Sequence, residues 1–393
     1  MPRINADLIR MSVYASKAIS AAAKKDSSTI NLSIGEPVFG PPSFLLDEIK
    51  EQVLTLPSLL DGCKRYQVSR GSLELRKAIS GWYKRRYDIA VDPENEIIIT
   101  HGGAEALALS ILCTTNPGES VAVMDPSYML YQRAVTCLAR SVVNLPRPPS
   151  EDEYANICGS PPAQALIINS PENPTGYVLS NNDWNAVVRY AEAFDSWVIH
   201  DEVYDCMDFG RPHRPARGIA GLGQRSVLVN SFSKKFGVPG LRIGWIVASP
   251  ELIEQASKAH DYLYLGVNIL FERIAEKMLS DARVERWLLE NRRMLSEKAE
   301  QARGALGENG VFRWPRKPYG AMFLFPEVSA LKQKYGLTSS TTGEAVAEYL
   351  KSKCGIAVVP GTVYGHSGDN HIRLVLCGND QALQNGIELL KRL

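Results

Sequence analysis

The 393-residue chain predicts an α/β protein: a mostly parallel sheet with helices on both faces. Three observations predict it. Short runs that are apolar at consecutive positions, "EIIIT" (96–100), "SVAVMD" (120–125), "ALIIN" (165–169), "SWVIHD" (196–201) and "SVLVN" (226–230), have the pattern of strands buried on both faces. Helix-period segments alternate with them. "AEALALSILCTT" follows the first run, and "SNNDWNAVVRYAEAF" lies between the third and fourth with Ser180 and Asp183 spaced as a capping box. Length is the third observation, because 43.4 kDa exceeds the size at which one core keeps growing, so two domains or lobes are expected.

Charge and cysteine usage narrow the function class. With 44 basic and 43 acidic side chains the net charge is +1, which gives no electrostatic reason to expect nucleic acid or a charged membrane as partner. A small uncharged or zwitterionic ligand is the better expectation. The seven cysteines are scattered and form no CxxC pair, which predicts reduced thiols and neither a disulfide frame nor a metal site. No apolar stretch reaches the roughly 18 residues of a membrane span, and "MPRINADLIRMSVYASKAIS" has no long apolar leader region, so a cytoplasmic protein is expected.

In such sheets ligands bind beyond the carboxyl ends of the strands. Polar residues are concentrated there. "HGGAE" puts Gly102 and Gly103 at a strand-to-helix turn, where backbone N–H groups and the helix dipole can hold a phosphate. By itself it is an ordinary turn, and GxGxxG is absent, which excludes a dinucleotide fingerprint. "SPENPTG" fixes a loop that presents Asn173, and Asp201 of "DEVY" ends an apolar strand, where a buried carboxylate needs a cationic partner. "NSFSKKFGVPGLRIGW" (230–245) adds the hydroxyls of Ser231 and Ser233, the Lys234 amine and the Arg242 guanidinium. Hydroxyls and an arginine facing a Gly-Gly helix start make a dianion site, and a desolvated Lys234 beside it is nucleophilic toward an aldehyde. Phosphate, aldehyde and a cationic ring nitrogen paired with Asp201 together describe pyridoxal 5'-phosphate (PLP).

These residues resemble a known family. "NLSIGEP", "YQVSRGSLELRKAI", "THGGAEAL", "NSPENPTG", "DEVY" and "SFSKKFGVPGLRIGW" are similar, in order along nearly the whole chain, to the motifs of class I/II aminotransferases of PLP fold type I. The resemblance implies a large domain over 43–285 with a mostly parallel seven-stranded sheet, and a smaller α/β domain built from 1–42 and 286–393. It makes Lys234 the Schiff-base lysine and leaves Lys235 without a role, so that replacing Lys235 is expected to leave function intact. Asp201 pairs with the pyridinium nitrogen, Tyr204 and Asn173 hydrogen-bond the ring's phenolate oxygen, and Tyr128 of "DPSYMLY" stacks on the ring face. Gly102, Gly103 and Ala104, with Ser231, Ser233 and Arg242, hold the phosphate. In "VVPGTVYGHSGDNHIRLVL", Arg373 grips the substrate α-carboxylate, assisted by Gly35 and Asn173. Tyr66 reaches the phosphate of a partner subunit, which implies a homodimer.

The implied reaction moves the amino group of an L-amino acid to a 2-oxo acid, with freed Lys234 as general base. Elimination, cyclisation or oxidation of an amino acid by a PLP lyase, cyclase or oxidase stays open as an alternative on the same cofactor residues. A non-catalytic PLP-sensing regulator is disfavoured, since only about 30 residues precede "NLSIGEP". Two departures bear on substrate: the stretch between "VVNLPRP" and "QALIINSP" is short, and "DYLYLGVNILFERIAEKML" is bulkier and more apolar than the Ser/Thr-rich segment of the family.

Overall fold

The computed structural model describes residues 4–393 except 27, 38, 53, 54, 56, 58–60, 62, 63, 147–153, 155, 156, 339 and 340. Its strands in chain order are β1 (Ile30–Asn31), β2 (Ile97–Thr100), β3 (Ser120–Asp125), β4 (Ser141–Pro146), β5 (Ala165–Asn169), β6 (Trp197–Asp201), β7 (Ser226–Ser231), β8 (Gly244–Val247), β9 (Phe323–Leu324), β10 (Ile356–Ala357), β11 (Val359–Pro360) and β12 (Ile372–Val375). A seven-stranded sheet runs β2-β8-β7-β6-β5-β3-β4. β8 is antiparallel to both neighbours, and every other pair in it is parallel. The α/β class and the seven strands thus agree with expectation.

All five apolar runs are strands, displaced by at most one residue at either end. Two strands escape the apolar pattern. β4 lies at the sheet edge with most of its side chains exposed or half-buried, and β8 is a four-residue strand inside a Gly-rich segment. Ser180 and Asp183 do form the capping box that starts helix Asn181–Ala193.

Alternation along each strand feeds two cores, one per face. Ile97, Ile99, Val198 and Leu228 pack with Trp82, Trp184 and Trp245 on one side. Ile98, Ile199, Val227 and Val229 pack against the helices Gly103–Thr114 and Pro250–Tyr264 on the other. Each such side chain fully buried contributes about 1.5–3 kcal/mol. A further core gathers Leu295, Phe312, Met322, Leu350, Leu374 and Leu390, and Leu32 from near the chain start joins it because β1 pairs in parallel with β10. In the short stretch noted between 149 and 163, residues 149–153, 155 and 156 lie outside the described residues.

The parallel strands bring Asp125, Asn169, Asp201 and Ser231 to one edge of the sheet, where Thr100 also ends β2. Gly244 starts β8 at that edge with no room for a side chain. A Cβ there would stand 2.6 Å from the Gly102 carbonyl carbon and 2.8 Å from both Asn230 O and Gly103 N, all backbone atoms. Overpacking against atoms that cannot rotate away costs about 1–3 kcal/mol. Gly244→Ala is therefore expected to lower the unfolding free energy by that amount, read as a lower urea midpoint at an unchanged m-value; an unchanged midpoint would contradict the packing described.

Candidate active site

At the carboxyl edge of the sheet lies a cavity of about 610 Å³. Of the residues singled out in the sequence, Gly35, Gly103, Ala104, Tyr128, Asn173, Asp201, Tyr204, Ser231, Ser233, Lys234, Arg242 and Arg373 line it. Gly102 adjoins it as N-cap of the helix Gly103–Thr114, with φ 78° and no side-chain cap. The leading N–H groups of that helix have no intrahelical acceptor. A Cβ on Gly102 would come within 2.7 Å of Arg242 Nη2, so glycine serves here both the left-handed backbone and the close approach of the guanidinium. Arg242 is itself fixed by donating to Pro239 O at 2.9 Å and His101 O at 3.1 Å. Ser231 Oγ accepts from Ser233 N at 3.4 Å and lies near Gly103. Helix N–H groups, two hydroxyls and a guanidinium converge on one small volume.

Asp201 is buried, and among the described residues no lysine or arginine forms an ion pair with it. Its Oδ2 accepts from Tyr131 Oη at 2.7 Å and its Oδ1 from Val203 N at 3.2 Å. Burial pushes the carboxyl up to about 6, while the Tyr131 hydrogen bond pulls the other way. Lys234 donates to Gly35 O at 2.8 Å, and burial holds its amine below the ordinary lysine value, with Arg373 acting in the same direction. Tyr128, Tyr131 and Tyr204 are pushed above the ordinary phenol value by burial first, then by neighbouring acidic groups, so they remain protonated.

Arg373 enters from β12. It donates from Nη1 to Asn173 Oδ1 at 3.1 Å and from Nη2 to Ser33 O at 2.6 Å, over the Phe323 ring, and its buried Nε has no partner among the described residues. Asn173 is placed by its own N–H, which donates to Asn169 Oδ1 at 2.8 Å, and Asn169 in turn donates to the Asp201 carbonyl at 2.8 Å.

Tyr66 stands apart. It is 82% exposed and lines a separate cleft with Arg65, Gln67 and Arg273.

Sequence reasoning missed Tyr131, Tyr14 and Ser33. Tyr131 follows Tyr128 by three residues, a spacing that signals a shared face. Tyr14 lines the cavity and hydrogen-bonds Tyr128 Oη across 114 positions, for which no spacing signal exists. Lys235 needs correction. It is fully buried, with Nζ 2.7 Å from Asp205 Oδ1 and donating to Asn230 Oδ1 at 2.7 Å. Removing one partner of a buried pair costs about 3–5 kcal/mol, so replacing Lys235 alone is expected to destabilise the fold. His200, Glu202 and His213 also approach one another within 4.8 Å, but their facing atoms are engaged in hydrogen bonds: His200 Nδ1 accepts from Ala216 N at 3.1 Å, and His213 Nε2 meets Glu202 at 3.1 Å.

The chain belongs to the aminotransferase class I and II family, whose model matches residues 27–390, and it is accordingly a transferase enzyme. It is 29% identical over 371 residues to the putative aminotransferase YugH of Bacillus subtilis, covering 92% of this chain and 91% of that one. It is 29% identical over 380 residues to the aspartate aminotransferase of Pyrococcus abyssi, covering 95% and 93%. In structure it is similar to the N-succinyldiaminopimelate aminotransferase of Mycobacterium tuberculosis, with TM-score 0.87 and 27% identity over 99% of this chain and all of that one. These relatives support amino-group transfer and not the lyase, cyclase or oxidase alternative. Among the described residues no helix is long and apolar enough to cross a membrane.

The Tyr131 contact has a direct test. Because that hydrogen bond lowers the Asp201 value, Tyr131→Phe is expected to move the carboxyl further above about 6 in the cofactor-free chain. Infrared titration of protein labelled with ¹³C-aspartate reads the shift, and an unmoved or lowered value would contradict the contact.

Proposed function

We propose that this chain moves the amino group of an L-amino acid to a 2-oxo acid, using PLP as cofactor and working as a cytoplasmic homodimer. The observation that carries the reading is the single cavity shared by Lys234, the buried Asp201 carboxyl, the anion cradle and Arg373. Its donor set fits PLP at each end. The uncapped helix start, Ser231, Ser233 and Arg242 suit a phosphate dianion. Asp201, buried with a tyrosine and a backbone donor but no protein cation in ion-pair contact, suits a ring N–H⁺. Arg373, with a buried Nε lacking any acceptor among the described residues, suits a carboxylate. Residues 43–285 are read as the larger, cofactor-holding unit, and 1–42 with 286–393 as the smaller.

When bound, PLP supplies an aldehyde for the amino group and a cationic ring that withdraws the electrons left behind as the substrate's Cα loses its proton. Lys234 Nζ is the group that would hold that aldehyde, and the same amine, whose burial favours its neutral form, would take up the Cα proton. Asp201, oriented by Tyr131, would keep the ring nitrogen protonated, Asn173 and Tyr204 would donate to the phenolate oxygen, and Tyr128 would stack on the ring. Arg373 anchors the α-carboxylate, with Gly35 and Asn173 beside it; the donors named for the relatives, aspartate, aromatic amino acids and N-succinyldiaminopimelate, have that group in common.

The homodimer reading rests on Tyr66, which is exposed and lines a cleft apart from the cavity, together with Val68, Ile269 and Arg273; Tyr262, Leu263 and Leu265 are exposed as well. Ser69 Oγ donates to Asp261 Oδ2 at 2.6 Å, joining the two segments. The bulky "DYLYLGVNIL" departure therefore lies on the same face as Tyr66.

Lys234→Ala is expected to abolish the borohydride-fixed link to PLP and lower kcat by at least about 10⁴-fold in the same folded dimer. Retention of the link would overturn the assignment. Mixing Lys234→Ala with Tyr66→Phe chains gives heterodimers in which one site carries both changes and the other neither, so activity should exceed that of either parent; no gain, with heterodimers verified by mass, removes the cross-subunit role. As for pH, only the ionised Asp201 holds a cation. PLP retention is thus expected to weaken as pH falls through about 6, and Asp201→Asn to bind more weakly at pH 7 with a smaller step, as read by equilibrium dialysis.

A further inference from the structure

Two chain segments meet at the cavity, and each presents one set of side chains to it and another to the core behind. In the segment following β6, Asp201 and Tyr204 line the cavity, while Glu202 and Asp205 are buried at the rear. In the segment following β7, Lys234 lines the cavity and Lys235 is buried at the rear. Sheet pairing between these strands ends at Asp201↔Val229, with one more bond from Glu202 N to Val229 O at 2.9 Å. β7 stays paired with β8 as far as Ser231↔Gly244, Phe232 N donates to Ile243 O at 3.1 Å, and Lys234 follows in the one-turn helix Phe232–Lys235, so the β8 side of this turn is held by backbone while its β6 side is held by side chains.

Behind the turn, side chains join the two segments. Lys235 Nζ lies 2.7 Å from Asp205 Oδ1 with both side chains wholly buried, and stands over the rings of Trp82 and Trp245 at 5.2 and 4.8 Å. Asn230 links the same groups: its Oδ1 accepts from Lys235 Nζ and from Ser231 N, and its Nδ2 donates to Glu202 at 3.3 Å and Asp205 at 3.4 Å. Tyr87 Oη donates to Asp205 Oδ2 at 3.1 Å. We propose that Lys235 and Asp205 are a positioning pair, a buried tether behind the cavity that fixes the approach of Lys234 Nζ toward Asp201 and Tyr204. The inference rests on the reading of Lys234 as the PLP-holding lysine. A bare ion pair is a poor source of stability, because desolvating both charges offsets most of their attraction, whereas it fixes geometry in two directions at once. A purely structural pair could be replaced by apolar side chains of similar volume without functional cost. A positioning pair could not.

That difference is the test. The full-length chain, loaded with PLP, is compared with Lys235→Met/Asp205→Leu, which removes both charges together. The expected result is an unfolding midpoint close to the parent, kcat lowered by about 10- to 100-fold, and KM for the amino acid within about threefold, since Arg373 is untouched. Capture of added PLP by the stripped double variant, followed by borohydride fixation, should slow by about tenfold while peptide mapping still finds the label on Lys234. Parent-like kcat and capture rate in the folded double variant would overturn the tether. Should the double variant lose cooperative unfolding, Asp205→Asn is read instead; it keeps the side-chain shape and the Asn230 contact of Lys235, and parent-like kcat and capture there would overturn the proposal equally. Label found on another lysine of the parent chain would refute the Lys234 reading itself, an outcome distinct from a failed tether.

Discussion

A carboxylate buried at the end of β6 without a protein cation is the constraint around which this structure is arranged. Asp201 loses its water on folding, and its carboxyl is accordingly pushed up to about 6. Leaving such a group half-satisfied is expensive, and the surroundings answer that cost with contacts that also shape the site. Tyr131 and the Val203 N–H take the two oxygens, and Asn169 takes the backbone carbonyl. Asn169 then holds Asn173, and Asn173 holds Arg373. Hydrogen bonds therefore link the Asp201 backbone through Asn169 and Asn173 to the Arg373 guanidinium.

The opposite end of the cavity follows a different rule. There the protein supplies positive potential from groups that cannot change sign: the N–H groups of an uncapped helix and an arginine. Gly102 and Gly244 let these groups close in, since the Arg242 guanidinium fills the space that a Cβ on Gly102 would take and backbone of Gly102, Gly103 and Asn230 fills that of a Cβ on Gly244. The titratable amine of Lys234 lines the same cavity as the Arg242 guanidinium and the Asp201 carboxyl, and burial holds it below the ordinary lysine value.

The alternation of side chains beyond the strand ends gives the site a second layer. Residues 201 and 204 face the ligand space while 202 and 205 enter the core, and 234 and 235 divide in the same way. The polar rear layer, with Lys235 against Asp205 and Glu202 among Tyr83, Asn230 and His213, lies between the sheet end and the indoles of Trp82 and Trp245. A cavity wall that carried its chemistry on one face and only aliphatic packing on the other would leave these loop segments free to slide.

The chain's own pattern determined the α/β class, five strand positions, the capping box at Ser180 and seven cavity-lining residues (Gly103, Asn173, Asp201, Ser231, Ser233, Lys234 and Arg242), because each depends on local periodicity or on residues close together in sequence, whereas Gly35, Ala104, Tyr128, Tyr204 and Arg373 are implied only by the family resemblance. The same pattern could not show β4 or β8, whose burial is set by an edge position and by a Gly-rich surround. Nor could it assign Lys235, which by composition is one more surface lysine and is buried only because Asp205, 30 residues earlier, is carried to the same place by the pairing of β6 with β7. The contact of Tyr14 with Tyr128 and the carbonyl that Ser33 offers to Arg373 join positions 114 and 340 residues apart. Only the tertiary structure decided these, since a hydrogen bond between distant segments depends on where the fold brings them and leaves no spacing in the sequence to read.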